Sequence, residues 1–292
     1  MRNTRTSSFW LLNGVVLVWG LTGILGKEIS LASTPLVFWR VLIASIFLWA
    51  WMKWKKIPLR TSKHTLIRYA ITGVLTAAHW LCFFASIKAS NISVALAVLS
   101  TSAFFVSIVS PIIRREPFKW YEMALGILVF IGVAMIFNAS FEYALGIVLS
   151  LSAAFFASLF STMNSKLVEQ DKPVRIAFWE MAFALLAIAL FGLLTAGSET
   201  YVPTSRDWML LLVLGVLCTG IAFVLGIYVM KQLSPFTCAI AINMEPVYTI
   251  AAAIFLYGQS EWMAPGFYIG AAIIMTTIFL DILMKRRRRA KG

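Results

Sequence analysis

Phe38-Trp39-Arg40 returns 140 positions later as Phe178-Trp179-Glu180, and the reading of this echo decides the fold. Each triplet follows a proline (Pro35, Pro173) by a few residues, and each proline opens a long apolar run, where proline suits the first turn of a helix. One copy closes on a cation and the other on an anion. Lipid tolerates such charges poorly, so an apolar chain that repeats itself and sets them just inside two helices has an interior to line.

The composition agrees. The 292 residues are 61% hydrophobic and 13% charged, whereas soluble domains carry about 25% charged residues. Several apolar runs reach about 20 residues, enough to cross a hydrocarbon core of roughly 30 Å at 1.5 Å per residue. They predict an all-α integral membrane protein with ten transmembrane helices at 8–26, 35–52, 69–87, 92–113, 120–137, 143–165, 174–195, 208–230, 236–256 and 263–284. The run 8–26 follows Arg2 and Arg5 as the core of a signal peptide does, but it is too long for one and reads as an uncleaved first span. The three cysteines (Cys82, Cys218, Cys238) lie inside apolar runs without metal or disulfide spacing, and read as small buried hydrophobes.

An even number of spans puts both termini on one side. Placing them in the cytoplasm gathers 21 of the 25 Lys and Arg there: two in the N-terminal tail, six between Lys53 and Arg68, three between Arg114 and Lys119, then Lys166, Lys172, Arg175 and Lys231, and six after Met284. Lys27, Lys88 and Arg206 fall outside and Arg40 within a span. That asymmetry sets the orientation. It also explains the net charge of +13 by contact with anionic lipid headgroups, with no nucleic-acid partner and the arginines at 286–289 as a cytoplasmic anchor.

The echo extends further. Gly73-Val74-Leu75 in span 3 matches Gly215-Val216-Leu217 in span 8, Lys88 matches Lys231, and the segments ending at Gly126 and Gly270 align within a residue. Spans 1–5 therefore repeat as spans 6–10. Because five is odd, the second copy enters the membrane from the opposite side, giving two inverted-topology five-helix repeats over residues 1–140 and 141–292. That architecture is the mark of alternating access about a site near the bilayer midplane.

With Trp19-Gly20 in span 1, Glu245-Pro246 in span 9 and the Glu261 to Gly270 spacing that opens span 10, the chain resembles the drug/metabolite transporter superfamily, as two EamA-type domains most similar to bacterial amino-acid exporters of the YddG type. The resemblance covers nearly the whole chain. It implies an inner-membrane exporter of amino acids and related metabolites whose central cavity is lined by helices 1, 3, 4, 6, 8 and 9, with helices 5 and 10 peripheral. The first-half counterpart of Glu245-Pro246 is Ser102-Ala103, so a proline break is expected in span 9 alone.

Within the spans, polar and small residues fall on helical faces: Thr72, Thr76, His79, Phe83 and Ser86 in span 3; Ser93, Ala97, Ser100, Phe104 and Ser107 in span 4; Ser150, Ala154, Ser158 and Ser161 in span 6; Gly215, Thr219, Ala222 and Gly226 in span 8. Lipid rejects the polar faces, which turn them inward. For most of the Ser and Thr residues the reading is helix-to-helix hydrogen bonding, and for the glycine stripe a packing seam. His79 stands out near mid-span as a site residue.

Trp19, Trp80 and Tyr248 lie away from the depth at which interfacial aromatics gather and offer walls for an apolar or aromatic side chain. The expected substrate-binding set is Trp19, His79, Trp80, Ser100, Ser158, Asn243 and Tyr248. Arg40 and Glu180 each lie about 8 Å into their helices from opposite faces. They are expected to latch a gate or snorkel to headgroups, not to touch substrate. Pro246 frees a carbonyl beside Glu245 and Asn243, which makes that turn a ligand or gate position. Export of small amphiphilic metabolites, amino acids first, is the expected function. The competing reading is a membrane enzyme acting on a lipid or lipid-linked substrate, but it lacks a nucleophile–base or metal cluster among its residues. No catalysis, cofactor or metal is expected.

Overall fold

The computed structural model describes residues 2–139, 141–195 and 201–291; the side chains of Arg2, Arg5 and the arginines at 286–289 lie outside what is described. Its helices are α1 (Arg2–Glu28), α2 (Ser33–Trp54), α3 (Lys63–Ala89), α4 (Ile92–Leu99), α5 (Ser102–Arg114), α6 (Trp120–Ala139), α7 (Ala144–Leu167), α8 (Pro173–Leu194), α9 (Ser205–Leu212), α10 (Ala222–Val229), α11 (Pro235–Ile242), α12 (Glu245–Tyr257) and α13 (Pro265–Lys291). A π-helical stretch, Val213–Ile221, joins α9 to α10 in one rod. Among the described residues no strand occurs. Eight segments are long and apolar enough to cross a membrane, with α4–α5, α9–α10 and α11–α12 each counted as one, and shorter apolar helices run over Trp120–Ile136 and Pro265–Asp281. The chain is a multi-pass membrane protein.

Matching positions of the two halves start their helices in the same way. Ser62 accepts from the Thr65 amide to cap α3, and Thr204 accepts from the Asp207 amide in a capping box at α9. Asn91 caps α4 through the Val94 amide, and Ser234 caps α11 through the Thr237 amide. Each such cap satisfies an amide that lacks an intrahelical partner, which contributes about 1 kcal/mol.

The halves then grip each other reciprocally. The indole of Trp39 in α2 donates to the Tyr201 carbonyl before α9 (2.7 Å), and that of Trp179 in α8 donates to the Leu59 carbonyl before α3 (3.1 Å). Gly73 in α3 lies so close to α8 that a Cβ would sit 2.6 Å from the Glu180 carbonyl oxygen. Its counterpart Gly215 lies against α2, where a Cβ would sit 2.7 Å from Ile43 and 3.1 Å from the Arg40 carbonyl oxygen. The glycines let backbones approach as larger residues cannot. Gly132 of α6 and Gly270 of α13 cross in the same manner, each facing the other's carbonyl, on the periphery of the bundle.

Where the sequence places a helix break in span 9 alone, the structure has two. The second-half break is at Asn243–Met244, just before Pro246, and the first-half break is at Ser100–Thr101, with no proline in it. Hydroxyls do the work there: Ser100 donates to Leu96 O and Thr101 to Val98 O, drawing side chains back onto the backbone and loosening the turn. The two breaks touch. With its amide nitrogen turned towards the carbonyls, Asn243 donates to Ser100 O and Ala239 O, both at 3.2 Å.

At the end of the bundle where Glu28 and Lys88 lie, fully buried Glu261 seals the joint between halves. It accepts from the amides of Ser93 (2.9 Å) and Ile92 (3.3 Å) at the start of α4, from the Ser93 hydroxyl (2.8 Å), and from Lys27 (2.8 Å). An anion on a helix N-terminus is favoured by the dipole as well as by the amides. Glu261→Gln keeps the shape but loses the charge, and is expected to cost about 2 kcal/mol. At roughly 2–4 °C per kcal/mol for a chain of this size, the melting temperature in detergent should fall by about 5 °C. Tryptophan fluorescence on heating measures it.

Candidate functional site

A cavity of about 120 Å³ opens between the halves. At 10–15 Å³ of such space per water it holds about ten waters, the bulk of a small metabolite. Its walls come from α1, α3, α4, α5, α7, α10, α11 and the first residue of α12, with Arg40 reaching in from α2; none of the described side chains of α6 or α13 lines it. In span numbering these are helices 1, 3, 4, 6, 8 and 9 plus one residue of helix 2.

Of the residues expected to bind substrate, Trp19, His79 and Trp80 line this cavity. The Trp19 indole donates to Cys218 O (3.2 Å), and its ring fills the gap left by Gly226, where a Cβ would come within 2.8 Å of it. His79 is held by a 2.9 Å hydrogen bond between Nδ1 and Ala153 O, and its ring stacks on Phe83 and meets Phe160 edge-on. A carbonyl partner requires the Nδ1–H tautomer, which leaves Nε2 as the acceptor. Gly226→Ala, which drives Trp19 out of its slot, is expected to raise KM severalfold while leaving the melting temperature within about 2 °C, because the displaced ring has the cavity to move into.

The other expected residues sit elsewhere. Ser100, Asn243 and Pro246 border a smaller void beside the two breaks, and Glu245 borders both spaces. Ser158 is buried off the cavity, its hydroxyl bonded to Phe155 O, because the cavity face of α7 is Ala157, Phe160, Ser161 and Asn164. Tyr248 is not among the cavity residues and is 37% exposed on the outside of α12.

Neither Arg40 nor Glu180 reaches out to headgroups. Arg40 does not snorkel: it is 2% exposed and turned into the cavity wall. Nε donates to Thr219 Oγ1 (2.6 Å), whose hydroxyl bonds in turn to Leu214 O five residues back (2.7 Å), the register of the π-turn. The guanidinium lies 4.2 Å from the centre of the Trp80 ring, within cation–π range. Glu180, its sequence counterpart, stands one residue behind the wall. It is fully buried and accepts from Asn164 Nδ2 (3.1 Å), and Asn164 lines the cavity.

Sequence reasoning did not place Arg40, Phe160, Phe223 or Asn164 on the cavity. The 3-1-3 spacing of Ala157, Phe160, Ser161 and Asn164 carries the signal for the α7 face, but the small-residue stripe through Ser150, Ala154 and Ser158, which meets it only at Ser161, hides it. Among the described residues, no cluster of His, Cys, Asp and Glu is arranged to hold a metal ion.

Residues 6–138 match the EamA-like transporter family, and residues 144–283 match it again. The chain belongs to the EamA-like transporter family. Its relatives include an uncharacterized transporter, YxxF, of Bacillus subtilis, 22% identical over 94% of this chain and 88% of that one. The pseudopaline exporter CntI of Pseudomonas aeruginosa is 29% identical over 65% of this chain and 66% of its own. The riboflavin transporter of Vibrio cholerae is 29% identical over 63% and 60%. A solved crystal structure superposes with a TM-score of 0.71 at 17% identity, covering 97% of this chain and 98% of that one, which shows a shared fold. This EamA-like protein is thus a membrane transporter of small molecules.

Proposed function

We propose that this EamA-like transporter exports aromatic and other amphiphilic amino acids, with related small metabolites, across a bacterial inner membrane by alternating access. Residues 1–140 and 141–292 form two inverted repeats of five spans each, and both termini are cytoplasmic. The observation that carries the reading is the cavity itself, closed in by both halves next to two helix breaks that touch at Ser100 and Asn243. Broken helices around a midplane site let two halves rock about a bound molecule. The reciprocal Trp39 and Trp179 hydrogen bonds and the paired Gly73 and Gly215 contacts support halves related by a two-fold exchange. The charge asymmetry of the loops supports the orientation.

In this orientation the cavity lies towards the cytoplasm, since its wall descends to Met230 and Pro235 beside the Lys231 loop, while the Glu261 joint closes the far end. The aromatic walls suit an aromatic or branched side chain. Two relatives, an exporter of pseudopaline and a transporter of riboflavin, support a small metabolite as cargo.

Counterflow in proteoliposomes tests this: vesicles loaded with unlabelled phenylalanine should accumulate external labelled phenylalanine, saturably and with competition by other amphiphilic amino acids. Absence of saturable exchange for every amino acid tried sinks the proposal.

A further inference from the structure

The charges of the cavity wall are arranged for more than a passage. Arg40 is gripped at Nε by Thr219 and stacked against Trp80, so its planar head is fixed before anything binds. Nη1 is buried without a hydrogen-bond partner, and no carboxylate among the described residues comes within 4.0 Å of the guanidinium. Glu245, 6% exposed at the first turn of α12, lines the same cavity, and its carboxyl group likewise forms no ion pair or hydrogen bond among the described residues. A guanidinium and a carboxyl group therefore line one chamber without touching each other. Leaving either group unpaired in a low-dielectric interior is costly, and contact between them would lower that cost most simply. Here they are held apart, and the space between is what a molecule with both charges fills.

We infer that the cavity recognises its substrate as a zwitterion, with the substrate carboxylate on the free end of Arg40 and its ammonium group towards Glu245. The planar guanidinium suits a carboxylate end-on. Trp19, Phe160 and Phe223 remain for the side chain. This deepens the amino-acid reading above and rests on it. It also gives Arg40, which is outside the substrate-binding set expected from sequence, the main share of carboxylate binding.

Wild-type protein alone provides the first test. In proteoliposomes, phenylalanine amide and phenethylamine (no carboxylate) and 3-phenylpropionate (no ammonium) should each compete with labelled phenylalanine at least tenfold more weakly than phenylalanine itself. The variants then separate the two ends. Arg40→Gln should collapse the preference of phenylalanine over its amide towards unity while keeping that over 3-phenylpropionate, and Glu245→Gln should do the reverse. Ratios within one variant do not depend on how much of it folds. If phenylalanine is exchanged saturably but the amide and the propionate compete within threefold of it, the zwitterion inference falls and the transport reading stands. If no amino acid is exchanged at all, both fall.

Discussion

Gly73→Val is expected to remove most folded protein from the membrane and to lower the melting temperature of the remainder by about 10 °C. The reason is local. At Gly73 a first side-chain carbon would meet the Glu180 carbonyl oxygen at 2.6 Å, Phe183 Cβ at 2.8 Å and the Ala184 amide at 3.2 Å, all parts of α8 that no rotamer change moves aside. Overfilling a packed contact costs about 1–3 kcal/mol where side chains can shift, and more where backbone must. Roughly 3 kcal/mol or above, at 2–4 °C each, gives the expected fall. The control is Gly14→Ala in α1, where a Cβ meets nothing within 4 Å. Alanine is the better helix former by about 0.5–1 kcal/mol, so that variant should be unchanged or slightly more stable. Fluorescence-detected gel filtration of both variants decides the matter; a monodisperse, heat-stable Gly73→Val protein would refute the α3–α8 contact.

Trp80→Ala should cut transport efficiency by about 30-fold beyond any loss of folded protein. Trp80 carries the Arg40 guanidinium at 4.2 Å and leans on Phe223 with ring centres 5.8 Å apart. A desolvated cation–π contact contributes about 2 kcal/mol, and 1.4 kcal/mol is a factor of ten in binding. Without the ring, Arg40 keeps its Thr219 hydrogen bond and the more distant Phe84 ring (5.4 Å), and loses its fixed aim. Truncating a buried tryptophan also costs about 3–5 kcal/mol of stability, so kcat/KM must be referred to folded transporter. Trp80→Phe keeps an aromatic face and should recover most of the lost activity, an outcome that mere cavity filling by leucine should not match. Equal activity in Trp80→Leu and Trp80→Phe would mean that the ring supports Arg40 by bulk alone.

The sequence was most readable where lipid enforces the rule. A run of about twenty apolar residues has few alternatives to a helix, and the helices begin and end within several residues of the limits that hydropathy set. The echo of Phe-Trp was readable too, but what it does was not. That Trp39 and Trp179 each bind a carbonyl of the other half depends on loop positions that no periodicity encodes. The break at Ser100–Thr101 escaped because serine and threonine sit in many intact membrane helices, and only their actual hydrogen bonds reveal a turn that has given way.

Arg40 escaped for another reason. Depth along a helix can be counted from Pro35, whereas the direction of a long side chain depends on partners far away in sequence, here Thr219 and the π-turn beneath it. On α7 the small-residue stripe packs against α4 at Ser150, whose hydroxyl donates to Ala95 O, and reaches the chamber only at Ser161, so Ser158 fell off the wall.

The exchange of tryptophan hydrogen bonds also bears on biogenesis. The Leu59 carbonyl is satisfied by an indole 120 residues further along, and Trp39 by a carbonyl 162 residues on. A ribosome delivering this chain has therefore released α1 to α6 well before either clasp can close. Until α8 and the segment after it emerge, the early product is a set of helices awaiting their other half, and a chain truncated at its midpoint would be a natural client for membrane quality control.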